Sequence, residues 1–235
     1  MFFPVYSSAY WIYMLPAFLL VLLAQLWVSS TYRRWSRYRN TYGLSGAEAA
    51  RRLLSHGALT DVALESTPGV LSDHYDPRSR TLRLSPPVAQ GQSVASLAIA
   101  AHEIGHAVQD REGYLPMRFR AALVPAANLG STLGWILIFI GLLLRSVQLG
   151  WLGVLIFSAG AVFALATLPV ELNASARARA LLAQSGLVTS EEERRGVNSV
   201  LTAAAFTYVA ALAAALLQLL YWASVVGGMG GRRRS

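Results

Sequence analysis

The chain has 235 residues, 54% of them hydrophobic and only 14% charged, with a mean hydropathy of +0.43. Soluble domains carry roughly 25% charged residues, so the composition excludes an ordinary soluble protein and points to an integral membrane protein. The net charge of +8 comes from 20 basic residues, every one of them arginine; the absence of cysteine excludes disulfides, thiolate metal ligands and a cysteine nucleophile.

The first predicted element lies in the uncharged run 1–32, centred on 10–28, long enough for a spanning helix of about 20 residues. No basic residue precedes it and its apolar run exceeds that of a signal sequence, so it reads as a retained anchor. Tyr10, Trp11 and Tyr13 at one end and Trp27 and Tyr32 at the other resemble interfacial aromatic belts. Ser45-Gly46-Ala47-Glu48 is a capping box, predicting a short amphipathic helix that runs to His56 and stops at Gly57. The period then changes to that of short strands at 61–66, 71–75 and 80–85, the last two joined by a turn at Asp76-Pro77-Arg78-Ser79. Pro86 and Pro87 close this sheet region, and Ser93 caps a helix running to about Asp110, with Gly113 beyond its end. Three further apolar windows follow, centred on 124–144, 149–169 and 201–225, for four spans in all.

The helix after Ser93 carries Ala101-His102-Glu103-Ile104-Gly105-His106. Residues i and i+4 share a helix face, so His102 and His106 can converge on one zinc, while Glu103 reaches a metal-bound water without being a ligand itself. With four His and eight Glu in the chain, chance gives such a match in roughly two of a thousand chains of this composition. A pair of helix-surface histidines is the bland alternative. Gly105 lowers helix stability by about 1 kcal/mol relative to alanine. Its missing side chain either makes room for another backbone near the metal or simply packs the helix against a neighbour. A small sheet leading directly into such a helix is a layout in which an edge strand holds an extended peptide over the metal.

A catalytic zinc takes three protein ligands and one water. Without cysteine, the candidates for the third are His56, His74 and a carboxylate, and Glu171 leads because an ionisable residue at the end of a span is costly to place there. Asn173 and Ser175 are candidates to orient the ligands from behind; His74, Tyr75 and Tyr114 are candidate donors to a developing oxyanion. His56 at a helix end reads as a partner of the helix dipole.

Arginine placement gives topology. Arg33, Arg34, Arg37 and Arg39 follow span one, Arg111, Arg118 and Arg120 precede span two, and Arg177 and Arg179 follow span three, with Arg145 in the opposite turn. The positive-inside rule puts the polar regions around 30–122 and 171–198 in the cytoplasm, although four spans leave Arg232-Arg233-Arg234 on the disfavoured side. This arrangement also accounts for the charge without nucleic-acid binding.

Several motifs in order, Asp73-His74-Tyr75-Asp76-Pro77-Arg78, Thr81-Leu82-Arg83-Leu84-Ser85, Ser93-Val94-Ala95, 101–109 around the His pair, and Leu168-Pro169-Val170-Glu171-Leu172-Asn173-Ala174-Ser175, resemble the YugP-type family of membrane-bound neutral zinc metallopeptidases. The resemblance runs from the first span to Tyr208. It implies one zinc per chain, His102 and His106 as ligands, Glu103 as catalytic base, a protein or peptide substrate and a multi-pass bacterial plasma-membrane location. A looser similarity to HtpX-type membrane peptidases matches Glu171 and Ala174 but has Ser175 where that family has aspartate. The expected fold is an α-helical integral membrane protein of about four transmembrane helices with a small α+β zincin-like cytoplasmic region. The expected division is helix 1 at 8–29, the α+β region at 30–122, a transmembrane hairpin at 123–170, a cytoplasmic helical segment at 171–198, helix 4 at 199–227 and a basic tail at 228–235. The expected function is peptide-bond hydrolysis at the membrane interface by glutamate-assisted attack of zinc-bound water. The alternative is a non-catalytic membrane scaffold or partner-binding protein with a structural zinc. The expected partners are the bilayer and a protein or peptide substrate, with no nucleic acid; the sequence leaves the oligomeric state open.

Overall fold

The computed structural model describes residues 8–231; the Arg232-Arg233-Arg234 part of the expected basic tail lies outside the described residues. In chain order the elements are helix α1 (Ser8–Trp35), α2 (Gly46–His56), strands β1 (Ala63–Ser66), β2 (His74–Asp76) and β3 (Thr81–Leu84), then α3 (Pro86–Gln90), α4 (Val94–Arg111), α5 (Leu115–Leu143), α6 (Val147–Phe157), α7 (Ala159–Gln184) and α8 (Glu191–Gly231). Among the described residues, four helical stretches are long and apolar enough to cross a membrane: Ser8–Trp35, Leu115–Leu143, the α6–α7 stretch Val147–Gln184, and Glu191–Met229. The protein is thus mostly helical, with four candidate spans and a small three-stranded sheet.

The chain forms two compact units. Among the described residues, one comprises 8–24, Arg118–Pro169 and 207–231; the other comprises Gln25–Met117 and Val170–Phe206.

In the apolar unit, α5 and α6 form a hairpin built on glycines. A Cβ on Gly134 would stand 2.5 Å from the Phe157 amide nitrogen, and one on Gly153 would stand 2.5 Å from that of Ile138. Small residues at such crossings let helix backbones pack by van der Waals contact where lipid offers no hydrophobic driving force between helices. The outward faces carry large apolar side chains, among them Phe139, Leu143, Leu155 and Leu165, all exposed.

In the polar unit, the capping box at Ser45 forms as expected: Glu48 N–H donates to Ser45 Oγ at 3.2 Å, and Ser45 N–H to Glu48 Oε2 at 2.8 Å. The resulting helix buries Ala49, Ala50, Leu53 and Leu54. The strands form at shorter lengths than expected, in the order β1-β3-β2, with β1 parallel and β2 antiparallel to β3. The β2–β3 turn is fastened by Asp76, whose carboxylate accepts from Arg78 N–H, the Ser79 hydroxyl and Arg83. These three donors hold its pKa down at about 2. Pro86 and Pro87 do more than end the sheet. They open α3, where a missing N–H costs nothing in the first helical turn. Leu82, Leu84, Leu97 and Ile104 form the buried centre, joined by Ala178 and Leu182 from the end of α7 and Val197 and Leu201 from the start of α8. The start of α8 is fixed by a second capping box, Ser190 with Glu193, whose buried carboxylate also accepts Thr41 N–H at 2.8 Å.

Candidate metal centre

Helix α4 begins where Ser93 Oγ accepts Ser96 N–H, and it is buried on several sides by Val94, Leu97, Ala98 and Ala101. That packing fixes the direction of His102 and His106, whose rings lie edge to face with centroids 4.9 Å apart. Glu171 comes from α7, which runs without a break through Pro169 to Gln184, so this residue sits inside a continuous helix. The two helices meet closely at Gly105: a Cβ there would stand 2.5 Å from the Ala174 carbonyl oxygen. Both readings of Gly105 made from the sequence therefore describe one contact, a helix packed on a neighbouring backbone beside the donor cluster.

Gly105→Ala tests this approach. The substitution gains about 1 kcal/mol in helix propensity, yet its methyl group meets a carbonyl, and overpacking of this kind costs about 1–3 kcal/mol. A lower melting temperature and weaker zinc binding in chelator competition are the expected results; an unchanged protein would show that α4 and α7 do not need this spacing.

His102 Nε2 stands 3.2 Å and His106 Nε2 3.5 Å from the same atom, Glu171 Oε2. One ligand atom from each of the three lies within 4.8 Å of the others, and among the described residues these three form the only such group. The Glu171 side chain is 3% exposed, and those of His102 and His106 are 14% and 12% exposed. The two histidines are thus the more exposed members of the cluster. Two ligands each about 2.0–2.1 Å from a tetrahedral zinc stand about 3.3–3.4 Å apart. The two separations from Glu171 bracket that value, and two imidazoles with one carboxylate are a donor set of catalytic zinc sites. The residues fit the ion. Burial works against a charge on His106, but Glu171 and Glu103 beside it hold its pKa above the usual histidine value, so the pocket favours positive charge.

Glu103 is buried on the same helix, and desolvation pushes its carboxyl pKa up, opposed by His102 and His106. Its Oε2 accepts Tyr75 N–H from β2 at 3.0 Å. The Tyr75 hydroxyl donates to Asp110 Oδ2 at 2.8 Å, and loss of solvent together with that carboxylate raises the phenol pKa. The Tyr114 ring lies under the Arg177 guanidinium, 5.9 Å from ring centroid to Cζ. His74 is exposed, with its Nδ1–H donating to the Ser72 carbonyl at 2.8 Å, outside the cluster. His56 is the last residue of α2, which Gly57 caps, and it also lies outside the cluster. Ser175 Oγ is 3.3 Å from His102 Nδ1.

Gln109 is the residue that the sequence reading did not single out. Fully buried, it has Oε1 3.0 Å from His106 Nδ1, while its Nε2 donates to the Val170 carbonyl at 2.8 Å and to Asn173 Oδ1 at 2.9 Å. Asn173 also accepts Arg177 Nε–H at 2.7 Å, and Arg177 pairs with Glu112 at 2.6 Å. A signal was present in the sequence: residue 109 is three beyond His106, on the same helix face.

Fold and donor set define a class: a helical membrane protein whose HExxH helix meets a carboxylate from a second helix in a group able to hold a metal ion. The family model described as "putative neutral zinc metallopeptidase" matches residues 10–227, and the chain belongs to that family. The chain is also similar to the "putative membrane protease YugP" of Bacillus subtilis (strain 168), at 44% identity over 197 residues that cover 84% of this chain and 87% of that protein. No solved structure matches the chain. The family expected from the sequence motifs is thus the one that matches.

Proposed function

We propose that this protein is a membrane-bound zinc endopeptidase in which His102, His106 and Glu171 hold one zinc ion and Glu103 handles the proton. The observation that carries the proposal is the convergence of two Nε2 atoms on one Glu171 oxygen at 3.2 and 3.5 Å, the spacing expected of ligands around a tetrahedral zinc. Zinc bound there would polarise a peptide carbonyl and lower the pKa of a coordinated water. Glu103 Oε2 is held by Tyr75 N–H, which leaves Oε1 to take a proton from the attacking water and return it to the departing amine. The raised pKa of Glu103 suits a group that must first accept and then give up a proton. Ser175 supports His102, accepting from Nδ1–H, so the residue standing where the HtpX pattern has aspartate keeps a hydroxyl partner for that ring.

Strand β2 lies at an edge of the sheet, and the backbone of Tyr75 on it reaches the base of the motif helix. An extended peptide laid along this edge comes alongside Glu103, which favours a protein or peptide substrate. The scaffold reading calls for a closed four-ligand zinc. The group here has three, and His74, the residue best placed in sequence to be a fourth, is exposed and bonded to Ser72.

The arginines flanking the spans support a multi-pass protein of a bacterial plasma membrane with the centre on the cytoplasmic side, the α+β region lying between the first span and the hairpin. Protein purified in detergent is expected to contain one zinc per chain and to hydrolyse an unfolded protein substrate. Chelation should abolish that hydrolysis and zinc should restore it. Full cleavage by metal-free protein would overturn the proposal.

A further inference from the structure

We infer that Gln109 is the positioning residue of this centre, selecting the metal-binding tautomer of His106 and locking the two ligand-bearing helices to one another. The inference rests on the zinc reading of His102, His106 and Glu171 and adds to it the group that prepares the site for the ion.

The argument turns on one acceptor that cannot be mistaken. Side-chain amides and imidazoles have interchangeable donor and acceptor atoms, so their orientation follows from their fixed neighbours. The Val170 carbonyl only accepts. The atom of Gln109 that stands 2.8 Å from it is therefore the NH₂ group. Its second proton goes to Asn173 Oδ1 at 2.9 Å, and that oxygen is fixed in turn because it also receives Arg177 Nε–H, an obligatory donor. With both protons committed on the α7 side, the carbonyl oxygen of Gln109 must face His106 Nδ1 at 3.0 Å. An oxygen there requires Nδ1 to carry the proton, which leaves the lone pair on Nε2, the atom that faces Glu171.

A second consequence concerns geometry. Val170 precedes Glu171 by one residue and Asn173 follows it by two, while Gln109 lies three residues beyond His106. One side chain thus fixes a ligand of α4 from behind and grips the backbone that carries the ligand of α7. The Gly105–Ala174 approach sets the distance between the helices, and Gln109 supplies the hydrogen bonds across it. Partners that orient ligands in this way typically change metal affinity by about 10–100-fold when lost. Gln109 is neutral, so it orients His106 without placing another negative charge in a pocket that already holds Glu103 and Glu171.

Two variants separate the roles. Gln109→Met keeps the volume and removes every hydrogen bond; Gln109→Glu keeps an acceptor for His106 and removes the donors to α7. The probes are zinc affinity of the folded protein by chelator competition and histidine NMR of zinc-loaded protein labelled at its four histidines. The parent should show a slowly exchanging Nδ1–H at His106. Gln109→Met should lose that protection and bind zinc about 10–100-fold more weakly, with the His102 signals unmoved. Gln109→Glu should recover the protected Nδ1–H. A merely structural glutamine would lower the melting temperature in both variants while leaving the zinc affinity and the His106 signal as in the parent, and that result overturns the inference. If Gln109→Met does not fold, Gln109→Glu decides: loss of the protected His106 Nδ1–H overturns the assignment, and its retention supports it. Should the parent bind no zinc, the metal reading fails by itself, and the tautomer is then read from metal-free protein at alkaline pH, where Nε2–H on His106 would overturn the assignment.

Discussion

Glu103→Gln is expected to leave zinc at one equivalent per chain and to reduce peptide hydrolysis by about 10²–10⁴-fold, the range over which a positioned acid–base group acts. The amide has the shape of the carboxylate and retains an oxygen to accept Tyr75 N–H, so the strand-to-helix contact survives. It cannot take a proton. The three donors around the metal position are untouched, which separates this variant from one that loses the ion. Stability should move in the opposite direction from activity: burial disfavours the ionised Glu103 carboxyl, and a neutral amide removes that penalty, so the melting temperature is expected to hold or rise. Metal analysis, a thermal melt and a cleavage assay on the same preparation read all three quantities. A variant that cleaves at the parental rate would show that another group moves the proton.

Local rules carried far in this chain because the features they govern are local. The i, i+4 histidine pair, the capping box at Ser45 and the proline turn at Asp76 each depend on residues within a few positions, and each forms. Pairing of strands from different segments is not local. The insertion of β3 between β1 and β2 is therefore not written in any one stretch. The end of the third span was also hard to read, since Pro169 resembles a helix stop. A single proline removes one backbone bond and is tolerated where neighbouring helices support the chain, and α7 continues for fifteen residues beyond it. That continuity changes how the centre is held: Glu171, Asn173 and Ser175 come from one rigid helix and keep helical register with one another. Gln109 was obscured for a related reason. Its significance comes from Val170 and Asn173, more than sixty residues away, while its own neighbourhood shows only a polar residue one turn beyond His106. The Ser190–Glu193 capping box, by contrast, depends only on two residues three apart in the chain.

Glu171→Ala should abolish stoichiometric zinc binding, with a loss of affinity beyond the about 10–100-fold expected for an orienting partner. The reason lies in the single oxygen shared by both imidazoles: without Glu171 Oε2, His102 and His106 remain as two ligands on one helix face, one short of the three a catalytic zinc requires. Removal of a buried carboxylate between two histidines also strips each ring of the partner at its Nε2, so lowered stability is expected in the metal-free protein. Glu171→Gln distinguishes the two effects, because it preserves the volume and a hydrogen-bonding oxygen while removing the charge that neutralises the ion. It should fold like the parent, bind zinc more weakly than the parent and more tightly than the alanine variant, and lose hydrolysis in proportion to bound metal. Zinc retained at parental affinity in Glu171→Ala would transfer the third ligand to another residue, with His74 on β2 the first to replace. A further loss of zinc in the double variant with His74→Ala would then establish a centre built across the sheet in place of one built across α4 and α7.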